Sequence, residues 1–102
     1  ASERRQLINR LAVLLTHLLK WQHQPAYRGR SWTLTIKEQR RQLARHLRDN
    51  PSLEARNEEF LLDAYGDAVL MAASETGLDE SVFPEICPYA WTEIIDADFL
   101  PD

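Results

Sequence analysis

Between Leu7 and Trp21 the large apolar residues return at intervals of three and four. Leu7, Ile8, Leu11, Leu14, Leu15, Leu18, Leu19 and Trp21 line one side of a helix, and Arg4, Arg5, Arg10 and Lys20 take the other. A stripe this wide needs more cover than one antiparallel helix supplies. The chain must therefore wrap the rest of itself round this element, or borrow cover from outside. Ser2 is placed to cap the helix, and Gln24-Pro25 ends it, because proline cannot donate and restricts the residue before it.

Two further helices follow. Pro25 to Arg30 is a short basic connection with Gly29 as its flexible point, and Ser31 is expected to cap a helix running to about Asp49. Its apolar edge is thin: Trp32, Ile36, Leu43 and Leu47, with Leu34 to the side. Asn50-Pro51 restarts the chain, and Asn57 is the expected cap of a third helix. Glu58, Glu59 and Asp63 suit the positive end of its dipole. Phe60, Leu61, Ala64, Tyr65, Ala68, Val69, Met71 and Ala72 form the inner side, and Thr76-Gly77 is a stop signal. Prolines then break up the remainder, leaving room for one short helix over about 90–96. Phe83, Ile86, Tyr89, Trp91, Ile94, Ile95, Phe99 and Leu100 are too apolar for a solvated tail and are expected to wrap onto the bundle. The expected fold is all-α: a single helical domain over 1–102, with three main helices and a partly irregular C-terminal segment.

Charge is divided unevenly. Residues 1–50 hold eleven bases and three acids; residues 51–102 hold one base, Arg56, and thirteen acids. Either the halves face each other or each faces a partner. Apolar runs such as Leu11–Leu15 are far short of the roughly 20 residues of a membrane span. The single cysteine, Cys87, cannot form an internal disulfide, so the expected location is cytoplasmic. The chain opens directly on a helix pattern without Met, which reads as a fragment or a form lacking its leading segment.

No residue pattern marks catalysis, a cofactor or a metal. His17 and His23 are six apart, not on one face as two zinc ligands would be, and Asp96-Ala97-Asp98 lacks the glycine and terminal Glu of a calcium loop. His17 and His46 read as hydrogen-bonded histidines at the edge of the core, and His23 as a complement to the helix dipole. Cys87 reads as packing, since its apolar and acidic neighbours raise a thiol pKa. One cluster stands out: Trp21 and Trp32 flank the first connection among Lys20, Arg28, Arg30, Arg40 and Arg41. Cations interleaved with aromatics serve phosphate binding and base stacking, and equally serve internal cation–π and ion pairs. Internal pairing is preferred, because the arginines spread round their helix and no helix-turn-helix or RNP-like pattern appears. Arg40 or Arg45 is then expected to meet Glu58, Glu59, Asp63 or Asp67, in the monomer or in a dimer.

Several runs are familiar. His17-Leu18-Leu19-Lys20-Trp21, Pro25, Arg28, Arg30-Ser31-Trp32, Ile36 and Gln39-Arg40-Arg41 occur with Asn50-Pro51-Ser52-Leu53 and Glu75-Thr76-Gly77-Leu78. They are followed by Phe83-Pro84-Glu85-Ile86-Cys87-Pro88-Tyr89 and Asp98-Phe99-Leu100-Pro101. Nearly end to end, the chain resembles the bacterial family called domain of unknown function 29. The resemblance implies an all-helical fold, no established activity, and a further upstream segment rich in acids and Leu that would pair with the basic half.

The resulting expectation is a non-enzymatic bacterial interaction or structural module without cofactor, self-associating or binding another protein, and not a membrane protein. Its candidate cluster is His17, Trp21, Arg28, Arg30, Trp32, Arg40 and Arg41. The alternative is a nucleic-acid-binding accessory protein using Lys20 to Arg48, and a third reading is an enzyme around His17. Cover for Leu7, Leu11, Leu14 and Leu15 is expected to come partly from outside the chain, from the upstream segment or a second copy.

Overall fold

The wide stripe of the first helix dictates the architecture. The computed structural model describes residues 2–102, with side chains from Glu3 onward, so the Ser2 cap lies outside the described side chains. The helices are α1 (Ser2–His23), α2 (Arg30–Asp49), α3 (Asn57–Thr76) and the short α4 (Trp91–Ile94). Single 3₁₀ segments, Pro25–Tyr27, Pro51–Arg56 and Glu80–Val82, turn the chain between them. Among the described residues there is no strand. Among the same residues no helix is long and apolar enough to cross a membrane.

Helix α1 is the spine: α3 packs along one side of its stripe and α2 along the other, each chiefly on α1 and not on the other. Leu7, Leu11, Leu14, Leu15, Leu18 and Leu19 are completely buried. Fully burying a leucine side chain contributes roughly 1.5–3 kcal/mol, so this stripe is the main source of stability. The expectation of external cover is wrong for Leu7, Leu11, Leu14 and Leu15. The single chain encloses all four, because Ala64, Ala68 and Ala72 let α3 approach closely while the tail seals what α2 leaves open. The stripe therefore supplies no argument for a second copy.

Thr16, inside the same stripe, is also fully buried. Its hydroxyl donates to the Ala12 carbonyl at 2.6 Å, which satisfies the polar atom within its own helix.

Both expected caps move. Helix α2 starts at Arg30 with Gly29 as its N-cap, extended at φ −164° and ψ −179°, and Ser31 lies inside the first turn. The physical reason is upstream: Arg28 is pinned to the Trp21 carbonyl at 2.7 Å, so the chain straightens at Gly29 and turns helical directly afterwards. Asn57 is likewise already helical, because the 3₁₀ segment Pro51–Arg56 runs straight into α3 with Arg56 at the junction. The C-terminal stop of α3 is as expected. Gly77 is left-handed at φ +75°, and the Thr76 hydroxyl donates to Ala72 O and accepts from the Leu78 amide.

The tail bridges the bundle. Phe83, Tyr89 and Ile94 are buried, whereas Ile86 is 81% exposed and does not pack inward as expected. The Tyr65 hydroxyl donates to the Pro84 carbonyl and the Tyr89 hydroxyl to Gln22 Oε1 at 2.7 Å, tying the tail to α3 and α1. Burial pushes the Tyr65 phenol up to about 12 and raises Tyr89 as well. Helix α4 is shorter than the 90–96 expected, with the Glu93 carboxylate accepting from the Ala90 amide at its start.

Candidate interaction face

The residues singled out by the cation–aromatic pattern do not form one site. The Arg28 guanidinium sits 5.1 Å from the centre of the Trp21 ring and donates to both Trp21 O and the backbone oxygen of Asp102, so it holds the end of the chain. The Trp32 ring takes a different cation. Lys20 lies 5.0 Å from its centre and also meets the Glu75 carboxylate at 2.8 Å, linking α1, α2 and α3. His17 donates through Nδ1 to the Val13 carbonyl at 2.9 Å, one turn back on its own helix. Arg30 is exposed at the start of α2, and Arg41 is exposed beside Glu38 at 3.4 Å.

Arg40 is the exception to every charge-pairing expectation. It is only 7% exposed and takes the inward position between Ile36 and Leu43. Its fork donates to three tail carbonyls: Ile94 at 2.9 Å, Phe99 at 2.8 Å and Glu93 at 3.2 Å. Burial lowers the guanidinium's pKa from its ordinary value, while the Asp96 and Asp98 carboxylates oppose that shift. Within the chain, the expected ion pairs of Arg40 and Arg45 with the acids of α3 do not form. Instead α1 supplies the bases that meet α3, through Arg4–Glu59 at 3.2 Å and Lys20–Glu75. The reason is position: α2 and α3 flank α1 without packing on each other, so the outer bases of α2 have no acids of α3 to reach.

The other titratable candidates are structural too. His46 is buried and donates to the Glu3 carbonyl at 2.8 Å, joining the end of α2 to the start of α1. His23 meets the Phe83 ring edge to face at 5.1 Å, and burial lowers its pKa. That shift favours the neutral ring over the cation that would complement the dipole. Burial raises the Cys87 thiol, opposite to what a nucleophile needs. Among the described residues no group of three or more His, Cys, Asp and Glu is placed to hold a metal ion.

What the pattern reading missed lies on the outside of α3. Leu62 and Leu70 are 77% and 61% exposed, two turns apart on one face, with Gly66 between them. The space where a Cβ of Gly66 would project is open. Gly66 and Leu70 form one wall of a groove of about 930 Å³ whose other wall is the Glu80–Val82 turn and the following Phe83-Pro84-Glu85. Val82 in that wall is 46% exposed, and Ile86, next in sequence after Glu85, is open as well. The signal was present in the sequence: the inner stripe of α3 is complete without Leu62 and Leu70, so both had to face elsewhere.

With the geometry established, comparison with known proteins adds one match. The family described as "Domain of unknown function DUF29" matches over residues 1–100. Searches for curated relatives and for similar solved structures find no match.

Proposed function

This chain belongs to the DUF29 family, and we propose that it is a non-enzymatic interaction module that docks another protein on the outer face of α3. One observation carries the reading. Leu62, Leu70, Val82 and Ile86 stand in solvent, and Leu70 and Val82 line one groove, while every leucine of α1 is enclosed. A helical domain able to bury its core this fully gains no stability from exposing a leucine row, and exposed apolar patches of this kind mark interaction sites. The cation–aromatic cluster, by contrast, is engaged in holding the fold.

The test is site-directed photo-crosslinking in cells. A photoreactive residue at position 70 is expected to capture one defined protein, and the capture is expected to disappear with Leu62→Ser. The same probe at position 37, on the outside of α2, is expected to capture nothing. Equal capture from both positions, or none from position 70, would sink the docking face.

One observation favours the second reading, nucleic-acid binding. Lys37, Arg41, Arg45 and Arg48 are all exposed along the outer side of α2, the far flank from the acids of α3. Trp21 and Trp32 are half-buried beneath cations and offer no stacking platform, so this surface would act through phosphate charge alone. Micromolar, salt-sensitive binding of an oligonucleotide, lost on neutralising Arg41 and Arg45, would move the assignment to that class.

A further inference from the structure

The α3 face also belongs to the part of the chain that carries no bases. After Arg56 the sequence contains no further Lys, Arg or His, so everything built from residues 57–102 is neutral or acidic. The groove beside α3 is lined by the apolar Val69, Leu70, Val82 and Phe83 together with the acidic Asp79, Glu80 and Glu85. The Asp79 carboxylate accepts from the Ser81 amide at 2.9 Å and from its hydroxyl, which lowers its pKa and keeps it charged. On the α1 side, Asp63 and Asp67 border a neighbouring cleft that Arg4 and Arg5 share, so those two carboxylates are partly answered within the chain. The unanswered charge lies on the groove side.

We propose that the groove receives a cationic amphipathic helix of a partner protein. The inference rests on the docking-face reading above and adds the chemistry and shape of the occupant. Shape argues for a helix. Leu62 and Leu70 form an i, i+8 ridge with a gap at Gly66, spanning about 12 Å of helix axis. Ridges spaced by four residues receive the side chains of a second helix in such gaps. Among the described residues there is no sheet edge for an extended strand to join. Charge argues for flanking Lys or Arg, since an acidic or uncharged apolar helix would leave Glu80 and Glu85 desolvated without a counter-charge. The face of a second copy is a poorer match: the outside of α2 has the bases but offers Leu34 as its one large exposed apolar residue, and two α3 faces would oppose acid to acid.

The probe is a fluorescein-labelled 18-residue helical peptide of Leu and Lys, with Leu at i, i+4 and i+8, compared with a scrambled peptide of identical composition. Anisotropy against the intact chain is expected to show at least tenfold tighter binding of the patterned peptide. Gly66→Gln fills the notch without entering the core, so the fold is expected to persist while binding falls at least tenfold. Glu80→Gln with Glu85→Gln is expected to weaken binding and flatten its salt dependence, while Asp98→Asn, beside Arg40, leaves it unchanged. Equal binding of both peptides, or no effect of Gly66→Gln, would reduce the interaction to net charge and overturn the proposal. So would light scattering that shows a dimer abolished by Gly66→Gln, since the occupant would then be a second copy. If position 70 cross-links in cells to a segment without Lys or Arg, the docking face stands and the cationic helix is wrong. If position 70 captures nothing, both fall.

Discussion

Helices α2 and α3 have the same length, 20 residues, and pack on the same central helix, yet they are held by different physics. Helix α3 presents Phe60, Ala64, Tyr65, Ala68 and Ala72 inward and is fastened mainly by burial. Helix α2 has only Ile36, Leu43 and Leu47 as buried apolar residues, and its grip is completed by polar devices: Arg40 into the tail, His46 to Glu3, and Lys20 over Trp32. A helix with a narrow apolar edge can thus be held as a permanent part of a fold by a few well-aimed hydrogen bonds. The same contrast explains the outer faces. Helix α3 shows two large apolar residues, Leu62 and Leu70; α2 shows one, Leu34, among its charges.

The sharpest way to break this contrast is Phe60→Ala. Phe60 is fully buried and flanked by Arg4 and Arg56 over its ring, so its loss is expected to cost about 3–5 kcal/mol in chemical denaturation. A cost below about 1 kcal/mol would mean that α3 is not held by burial.

Next in size is Arg40→Gln, set against Arg45→Gln on the same helix. Arg40 leaves three tail carbonyls short of donors, and breaking a buried charged group's bonds is expected to cost about 3 kcal/mol. Hydrogen exchange is expected to rise across 91–99 in particular. Arg45 is exposed without an ion pair among the described residues, and its change is expected to stay within about 0.5 kcal/mol. Equal effects would return both arginines to a shared electrostatic role.

Trp32→Ala follows. The ring is half-buried beneath Lys20, so the expected cost is about 1–3 kcal/mol, part packing and part cation–π. A negligible cost would release Trp32 for binding and strengthen the nucleic-acid reading.

A smaller effect separates the tail from the helices by pH. Burial holds the folded pKa of His23 below its ordinary 6.5. In the window just below 6.5 the unfolded chain binds a proton that the folded chain refuses, so stability falls as pH falls through it. Comparing denaturation midpoints at pH 7.5 and 5.5, His23→Gln is expected to lose less than the parent. An equal loss would assign the acid sensitivity to other groups.

The smallest expected change is in Leu62→Ser with Leu70→Ser, within about 0.5 kcal/mol because both side chains are already in water. A large loss would place those leucines in the folding core and remove the docking face.

Much of this was legible in residue spacing. The three main helices, the inward rows of α1 and α3 and the Gly77 stop follow from periodicity and local backbone chemistry, which act over a few residues and need no knowledge of the rest. Even Arg40 left a trace, since Ile36, Arg40, Leu43 and Leu47 follow the helical alternation of four, three and four residues and the basic member sits where the pattern calls for an apolar one. Spacing could not say that it was buried, because that depends on tail carbonyls more than fifty residues away. The starts of α2 and α3 were displaced for a similar reason: Arg28 and the Pro51–Arg56 turn, not the local cap residues, set where each helix begins.

By itself, then, the sequence determined the fold class, the number of main helices and the absence of positive charge from residues 57–102. Only the tertiary structure decided that α1 lies between α2 and α3, and this arrangement keeps the two charged halves from pairing throughout. It also decided that the chain covers its own central stripe, and that Gly66 and Leu70 meet the Glu80–Val82 turn to make a groove. The reason is range. Periodicity reports which side of a helix is apolar, but which neighbour covers that side is fixed by close approach and hydrogen bonds between residues far apart in the chain.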